Sequence, residues 1–364
     1  MAFKSLIPFK GILERCLDNI RERRPSSKEV VEHLERALHF QEQEGNFRMS
    51  LDNILRGGNF GSVYKGEFAN VDGQRHYIAI VKRFDTRVGE GKEQYSNEFY
   101  ALGRCKHENI ITLLGFLNEM DEKILVYEHA SKRSLDKYLT DASLMWTNRL
   151  KICIGLAIGL NFLHNGVDER KTVIHRDIKS SNIMLFDDWK AKIGGFGLSS
   201  IISENTKLTI DLASNTSSYV DPLYLKSGML AIESDIYSFG VVLFEILCGK
   251  VVYEIDKHES ESLLSFIKQK FEKRKQDDVV FKGIKEEIAP KSLTTYLNIL
   301  YQCLDDDLKK RPSSTEVLQQ LRRAFKLQVR NDESIDSSLS ILSYMAQTKS
   351  AKAKSRGQRL IRTG

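Results

Sequence analysis

Eight consecutive residues, His175-Arg176-Asp177-Ile178-Lys179-Ser180-Ser181-Asn182, bring a carboxylate, a lysine and a carboxamide into one short segment. A base, a neighbouring cation and a metal-ligand amide stand there at the spacing that phosphoryl transfer uses. Upstream, residues 56 to 63 read Arg-Gly-Gly-Asn-Phe-Gly-Ser-Val, and small residues of this kind let backbone amides approach a polyphosphate. Alone, that stretch is a weak signal. Beyond Gly61 stands Lys82, at the end of Ile-Ala-Ile-Val-Lys, followed by Glu98 and then His107-Glu108-Asn109. It is the order of these groups, more than any single one, that points to a phosphate-handling site.

Such groups need elements to hold them. From Leu51 to about Glu128 the apolar residues mostly alternate, as in Ser62 to Lys65, Tyr77 to Val81 and Ile124 to Tyr127, with one helical stretch around Glu93 to Arg104. The glycine-rich segment therefore joins two strands, and Lys82 closes a third. Strand alternation puts Ile78, Ile80 and Lys82 on one face. Farther on, Arg149 to His164, Ser234 to Cys248 and Glu261 to Glu272 read as helices. A small β-rich lobe to about residue 128 thus precedes a larger helical lobe from about residue 133, an α+β arrangement.

An internal repeat sets the ends. Residues 16 to 41 superpose without a gap on residues 303 to 328, with 13 of 26 positions identical, including Arg24-Pro25-Ser26-Ser27 against Arg311-Pro312-Ser313-Ser314. In each copy a Pro-Ser-Ser turn opens an amphipathic helix, and Glu29 or Glu316 favours its first turn. The apolar stripe is Val30, Leu34, Ala37 and Leu38 in one copy and Val317, Leu321, Ala324 and Phe325 in the other. Only one copy of the intervening sequence exists. Residues 1 to 45 are therefore expected to be the last two helices of an upstream domain, residues 46 to 331 one whole domain of the same kind, and residues 332 to 364 a basic, disordered tail.

Composition narrows the class. With 364 residues, 41% hydrophobic and 29% charged, the chain suits one large two-lobed domain and is neither collagen-like nor wholly disordered. Five widely spaced cysteines in no ligand spacing fit a reducing compartment without disulfides. Neither a signal-peptide core nor a membrane-length apolar run is present. The formal charge of +6 resides in six Lys and Arg beyond residue 336, so the body carries 49 bases against 49 acids. A nucleic-acid partner is not expected.

The glycine-rich loop, Lys82, Glu98 and the octet follow one another as they do in protein kinases. Together with Leu125-Val126-Tyr127-Glu128, Ser234-Asp235-Ile236-Tyr237-Ser238-Phe239-Gly240 and Lys310-Arg311-Pro312-Ser313, they make residues 51 to 328 resemble the plant receptor-like serine/threonine kinase family. The resemblance implies the bilobal protein-kinase fold. It also implies that Asp177 is the catalytic base, that Lys179 steadies the γ-phosphate and that Asn182 holds a metal. Asp235 would fasten the catalytic loop from below. Gly58, Gly61, Val63, Ile80, Lys82, Glu98, Tyr127, Glu128 and Met184 would surround ATP, with Tyr127 as gatekeeper. Leu102, His175 and Phe196 would stack as the internal spine.

The departures carry as much information. Where the family has Asp-Phe-Gly this chain has Gly195-Phe196-Gly197, which removes the carboxylate that bridges Mg²⁺ to the phosphates. Asp187 and Asp188 match an acidic turn between two short strands and do not replace it. Arg56 stands at the first glycine position, and Ile80 where relatives keep a small alanine over the adenine. Leu223 takes the place of the glutamate expected to pair with Arg311, so the end of the activation segment is expected to be loose. Ser217 and Ser218 replace a Pro-Gly pair.

Three readings follow. The first is a pseudokinase acting as a scaffold or regulator, binding ATP weakly and with a doubtful Mg²⁺ site. The second is a weakly active serine/threonine kinase using one metal on Asn182, and the third is a chain without a selected role. Retention of Lys82, Glu98, Asp177 and Asn182 speaks against the third, and the departures speak against full activity. The partners expected from the resemblance are other protein kinases or receptor kinases. The expected location is cytoplasmic, or at the plasma membrane through a receptor partner.

Overall fold

The computed structural model describes residues 49–58, 61–69, 76–87, 89–119, 122–167, 171–203, 218–228, 230–254, 263–272 and 279–333. The first copy of the repeat with Cys16, Ser217 and the basic end from residue 334 lie outside them.

Five antiparallel strands form the smaller lobe: β1 (Met49–Gly58), β2 (Gly61–Ala69), β3 (His76–Phe84), β4 (Leu113–Asn118) and β5 (Lys123–Glu128), in the order β1-β2-β3-β5-β4. Ala79 and Val81 bury themselves against Val126 on one face of the sheet. Ile80 packs on the main core from the other, as period-two alternation requires. That second face carries α1 (Gly89–Arg104), which begins four residues before Glu93 because Glu90 in its first turn suits the helix N-terminus.

The larger lobe is built on α4 (Ile232–Cys248), whose residues from Ser234 to Cys248 are all buried. A helix apolar on every side belongs at the centre of a core, and the other helices gather round it. They are α2 (Trp146–Asn165), α3 (Pro222–Ser227), α5 (Leu263–Glu272), α6 (Pro290–Cys303) and α7, over residues 314–333. The sequence reading passes over α6, although Tyr296, Ile299, Leu300 and Cys303 bury one face at helical spacing. Arg149 is fully buried on α2 with no ion pair to a carboxylate among the described residues; its guanidinium donates to the carbonyls of Leu139, Asp141, Leu144 and Ile246. Cys105, Cys153, Cys248 and Cys303 are free and buried.

The second copy of the repeat opens as its sequence suggests. Ser313 donates through its backbone N–H and its hydroxyl to Glu316 Oε2, both at 2.8 Å, and Glu316 N–H donates back to Ser313 Oγ at 3.3 Å. This reciprocal cap starts α7, whose Val317, Leu321 and Ala324 are wholly buried. The helix runs two residues past the boundary read at 331, and Asp332 is tied to Gln328 and Thr147.

Two short ribbons complete the lobe: β6 (Lys171–Ile174) with β9 (Ser200–Ser203), and β7 (Ile183–Leu185) with β8 (Ala191–Ile193). They hold the octet and the Gly-Phe-Gly turn at the face toward the smaller lobe.

Candidate active site

Lys82 stands on β3 opposite Val63 of β2 and Leu125 of β5. Its Nζ lies 2.7 Å from Oε2 of Glu98 on α1, and Glu98 is almost wholly buried. The ion pair locks α1 against the sheet. Gly61 has φ +143°, and a Cβ there would meet Arg83 O at 2.1 Å, so only glycine lets the loop strand lie this close to β3. Ile80 faces Tyr127 across the β3–β5 pairing, half-buried on the Lys82 side of the strand. Burial first, then the charge of the neighbouring Glu98, holds the buried Tyr127 hydroxyl in the neutral form.

The octet is suspended from α4. Asp235 accepts from the His175 and Arg176 backbone N–H groups at 2.8 Å each and sits 3.2 Å from His164 Nε2. Burial alone would raise its pKa, but His164, His175 and these donors outweigh it and hold the carboxylate charged. Asp235 therefore fastens the loop from below. His175 Nδ1 accepts from Asp177 N–H at 3.2 Å, which leaves Nε2 to donate to Gly194 O at 3.0 Å. Burial lowers its pKa and keeps it neutral in that tautomer. The His175 and Phe196 rings meet edge to face at 4.6 Å, and Leu102 is buried in the same core.

Asp177 spends both carboxylate oxygens locally: Oδ1 lies 2.8 Å from Lys179 Nζ, and Oδ2 accepts from Asn182 Nδ2 at 2.8 Å. The same Asn182 amide also donates to Asp177 O at 2.8 Å. Gly195 adopts φ +80°, ψ 47°, and a Cβ there would lie 2.6 Å from Asn182 Cγ. The amide of Asn182 thus fills the space beside Gly195. No cluster of three or more His, Cys, Asp or Glu side chains able to hold a metal exists among the described residues. Asn182 Oδ1 and an already engaged Asp177 are a poor set for Mg²⁺, which prefers several oxygen ligands in octahedral array. The residues present do not fit the two-metal arrangement of kinases.

The Glu128 carboxylate accepts from Thr112 N–H at 2.7 Å and from Lys192 Nζ at 2.6 Å, clamping the hinge to β8. Met184, half-buried on β7, bridges Ser134 and lies by Gly194. Gly58 pairs with Gly61 where β1 meets β2, and the side chain of Arg56 lies outside the described residues.

One expectation is overturned. Arg311 has not lost its partner: Nη1 and Nη2 donate to Asp221 Oδ2 and Oδ1 at 2.6 and 2.9 Å, with both side chains buried. Asp221 also caps α3 by accepting from Leu223 N–H at 2.9 Å, with Pro222 behind it. The carboxylate stands two residues earlier in sequence, but the fork geometry of arginine is satisfied all the same. Asp-Pro at a helix start is a readable cap signal. Its partner 90 residues away is not.

With this geometry in view, the comparisons are consistent. Residues 50–321 match the family model described as "Protein kinase domain". The chain is 37% identical over 276 residues to the receptor-like protein kinase HERK 1, 34% over 290 residues to the receptor-like protein kinase FERONIA, and 33% over 278 residues to the probable receptor-like serine/threonine-protein kinase At4g34500, all of Arabidopsis thaliana. These matches cover 74, 77 and 74% of this chain and 32, 31 and 62% of those proteins. The chain belongs to the protein kinase family, and its relatives are plant receptor-like kinases. It spans about a third of the length of two of these relatives and under two thirds of the third. No helix among the described residues is long and apolar enough to cross a membrane.

Proposed function

We propose that this chain is a kinase-fold scaffold or regulator whose nucleotide site has lost efficient phosphoryl transfer. The observation that carries the reading is the glycine at position 195 with the Asn182 amide turned onto Asp177. In transfer, a substrate hydroxyl would pass its proton to Asp177 as its oxygen bonds the γ-phosphorus and the bond to the β-phosphate oxygen breaks. Without the carboxylate at 195 the charge developing on those oxygens keeps only Lys82 and Lys179. Losing one principal electrostatic stabiliser slows such a step by a factor on the order of 10³, about 4 kcal/mol. Lys82, held by Glu98, remains suited to a nucleotide phosphate, so weak ATP binding with little dependence on Mg²⁺ belongs to this reading. Other kinases or receptor kinases are its proposed partners, and a receptor partner would hold it at the plasma membrane.

A second reading, a slow serine/threonine kinase, is favoured by the intact Lys82–Glu98 pair and the packed His175–Phe196 contact. Autophosphorylation of the full chain with Mg²⁺ or Mn²⁺, together with nucleotide thermal shifts, separates the two. Turnover near 1 s⁻¹, within the usual kinase range, would sink the scaffold reading.

A further inference from the structure

The repeat reaches further than the segment beginning at Cys16. In the same register Ala2, Ser5, Ile12 and Leu13 recur as Ala289, Ser292, Ile299 and Leu300, so residues 1–41 match residues 288–328 without a gap and 19 of 41 positions are identical. Residues 288–328 hold all of α6 and most of α7. The matched unit is the helix pair that closes the larger lobe.

Identity is not spread evenly along that pair. Of residues 288–328, 15 are buried, and 13 of these are identical in residues 1–41, against six of the other 26. The two exceptions, Phe9 for Tyr296 and Val31 for Leu318, keep a bulky apolar side chain. Hydrophobicity alone does not account for the pattern, because four of the identical buried residues are polar or charged. Three of them bind the lobe beneath: Arg311 pairs with Asp221, Ser292 Oγ accepts from Trp146 Nε1 at 3.3 Å, and Ser314 Oγ accepts from Asn165 Nδ2 at 3.1 Å. The fourth, Gln328, ties the two helices together, its Oε1 accepting from Ala289 N–H at 2.9 Å. Their counterparts are Arg24, Ser5, Ser27 and Gln41. In a segment surrounded by water nothing holds these positions fixed while the solvent-facing ones change. Contact with a lobe does.

We propose that residues 1–41 dock as a helix pair on the larger lobe of a second kinase-fold molecule that lacks its own final pair, in the seat that residues 288–328 fill here. Such a partner presents a carboxylate placed as Asp221 is, to receive Arg24. It also needs a small residue placed as Gly240 is, where a Cβ would meet Cys303 Cβ at 2.8 Å, because Cys16 corresponds to Cys303. The seat of the same chain is not the target, since residues 288–328 already fill it. This inference gives the scaffold reading a partner without resting on it, because docking is read as binding and not as turnover.

The test pairs two forms of the full chain. The acceptor carries Leu34→Asp and Leu321→Asp, which put a charge on the buried stripe of both copies, so that its seat is vacated and is not refilled from within. The donor is the unchanged chain. Co-expressed, the two should purify as a one-to-one complex, with exchange at residues 28–40 of the donor slowed at least tenfold relative to the donor alone. Leu34→Asp in the donor should abolish the complex and Arg24→Ala should weaken it at least tenfold, whereas Glu35→Ala, matching the exposed Arg322, should leave it unchanged. None of these changes should move the melting temperature of the donor alone. An acceptor that fails to purify with the donor, a complex indifferent to Leu34→Asp, or a Leu34→Asp donor that by itself melts below the wild type would overturn the proposal.

Discussion

Gly195 and Asn182 share one space: a Cβ on the glycine would lie 2.6 Å from the asparagine Cγ and Nδ2. The obstacle is the end of a short, rotatable side chain, and aspartate tolerates the positive φ of position 195 better than most residues. Gly195→Asp should therefore fold, turning Asn182 away from Asp177. Phosphoryl transfer should rise by about 10²-fold or more, and nucleotide binding should become Mg²⁺-dependent. Single-turnover assays and thermal shifts with and without Mg²⁺ check both. An unchanged metal dependence would remove Gly195 as the reason for slow transfer.

Ile80 is the second obstacle, to the base rather than to the phosphates. Ile80→Ala opens the Lys82 face of β3 next to Tyr127, and relief of overpacking of this size is worth about 1 kcal/mol or more. Titration calorimetry should show ATP binding tightened by roughly fivefold. Identical affinity in the two proteins would mean that this side chain does not limit the site.

The pairing of Arg311 with Asp221 makes a prediction opposite to the one suggested by Leu223. Asp221→Ala leaves a buried guanidinium without its partner and should cost about 3–5 kcal/mol. Leu223→Glu supplies an acid to an arginine already paired and should change stability by no more than about 0.5 kcal/mol. Urea unfolding of both variants decides the matter. A large gain from Leu223→Glu would contradict the pairing described above.

Glu245 gives the pH dependence a sign. It is fully buried on α4, where Tyr219 OH and Val252 N–H donate to Oε1. Burial, with a smaller contribution from Asp136, pushes its pKa up to about 7, against the opposing effect of Tyr219, Ser180 and the Val252 N–H. Between the ordinary value of 4.5 and about 7 the native carboxyl keeps a proton that the unfolded chain has released. Stability from this group therefore falls as pH rises through that window and is level above it. Glu245→Gln should flatten the slope, gaining on the wild type by roughly 3 kcal/mol between pH 4 and 8. Urea titrations at pH 4.5, 6 and 8 measure it, and parallel profiles for the two proteins would show that Glu245 does not titrate there.

Much of this molecule was legible in order and period. The spacing of Lys82, Glu98, Asp177 and Asn182 announces the site. Alternation puts Ile80 and Lys82 on one face, and Ser313 with Glu316 announces the start of α7, because each of these depends on neighbours within a few residues. The missing carboxylate at Gly195 is visible for the same reason. What tertiary structure decided were the partners of charged groups across long separations. Arg311 takes Asp221, Glu128 takes Lys192, and Arg149 takes four carbonyls. A buried charge must find a partner wherever the packed core presents one, and distance along the chain puts no limit on where that is.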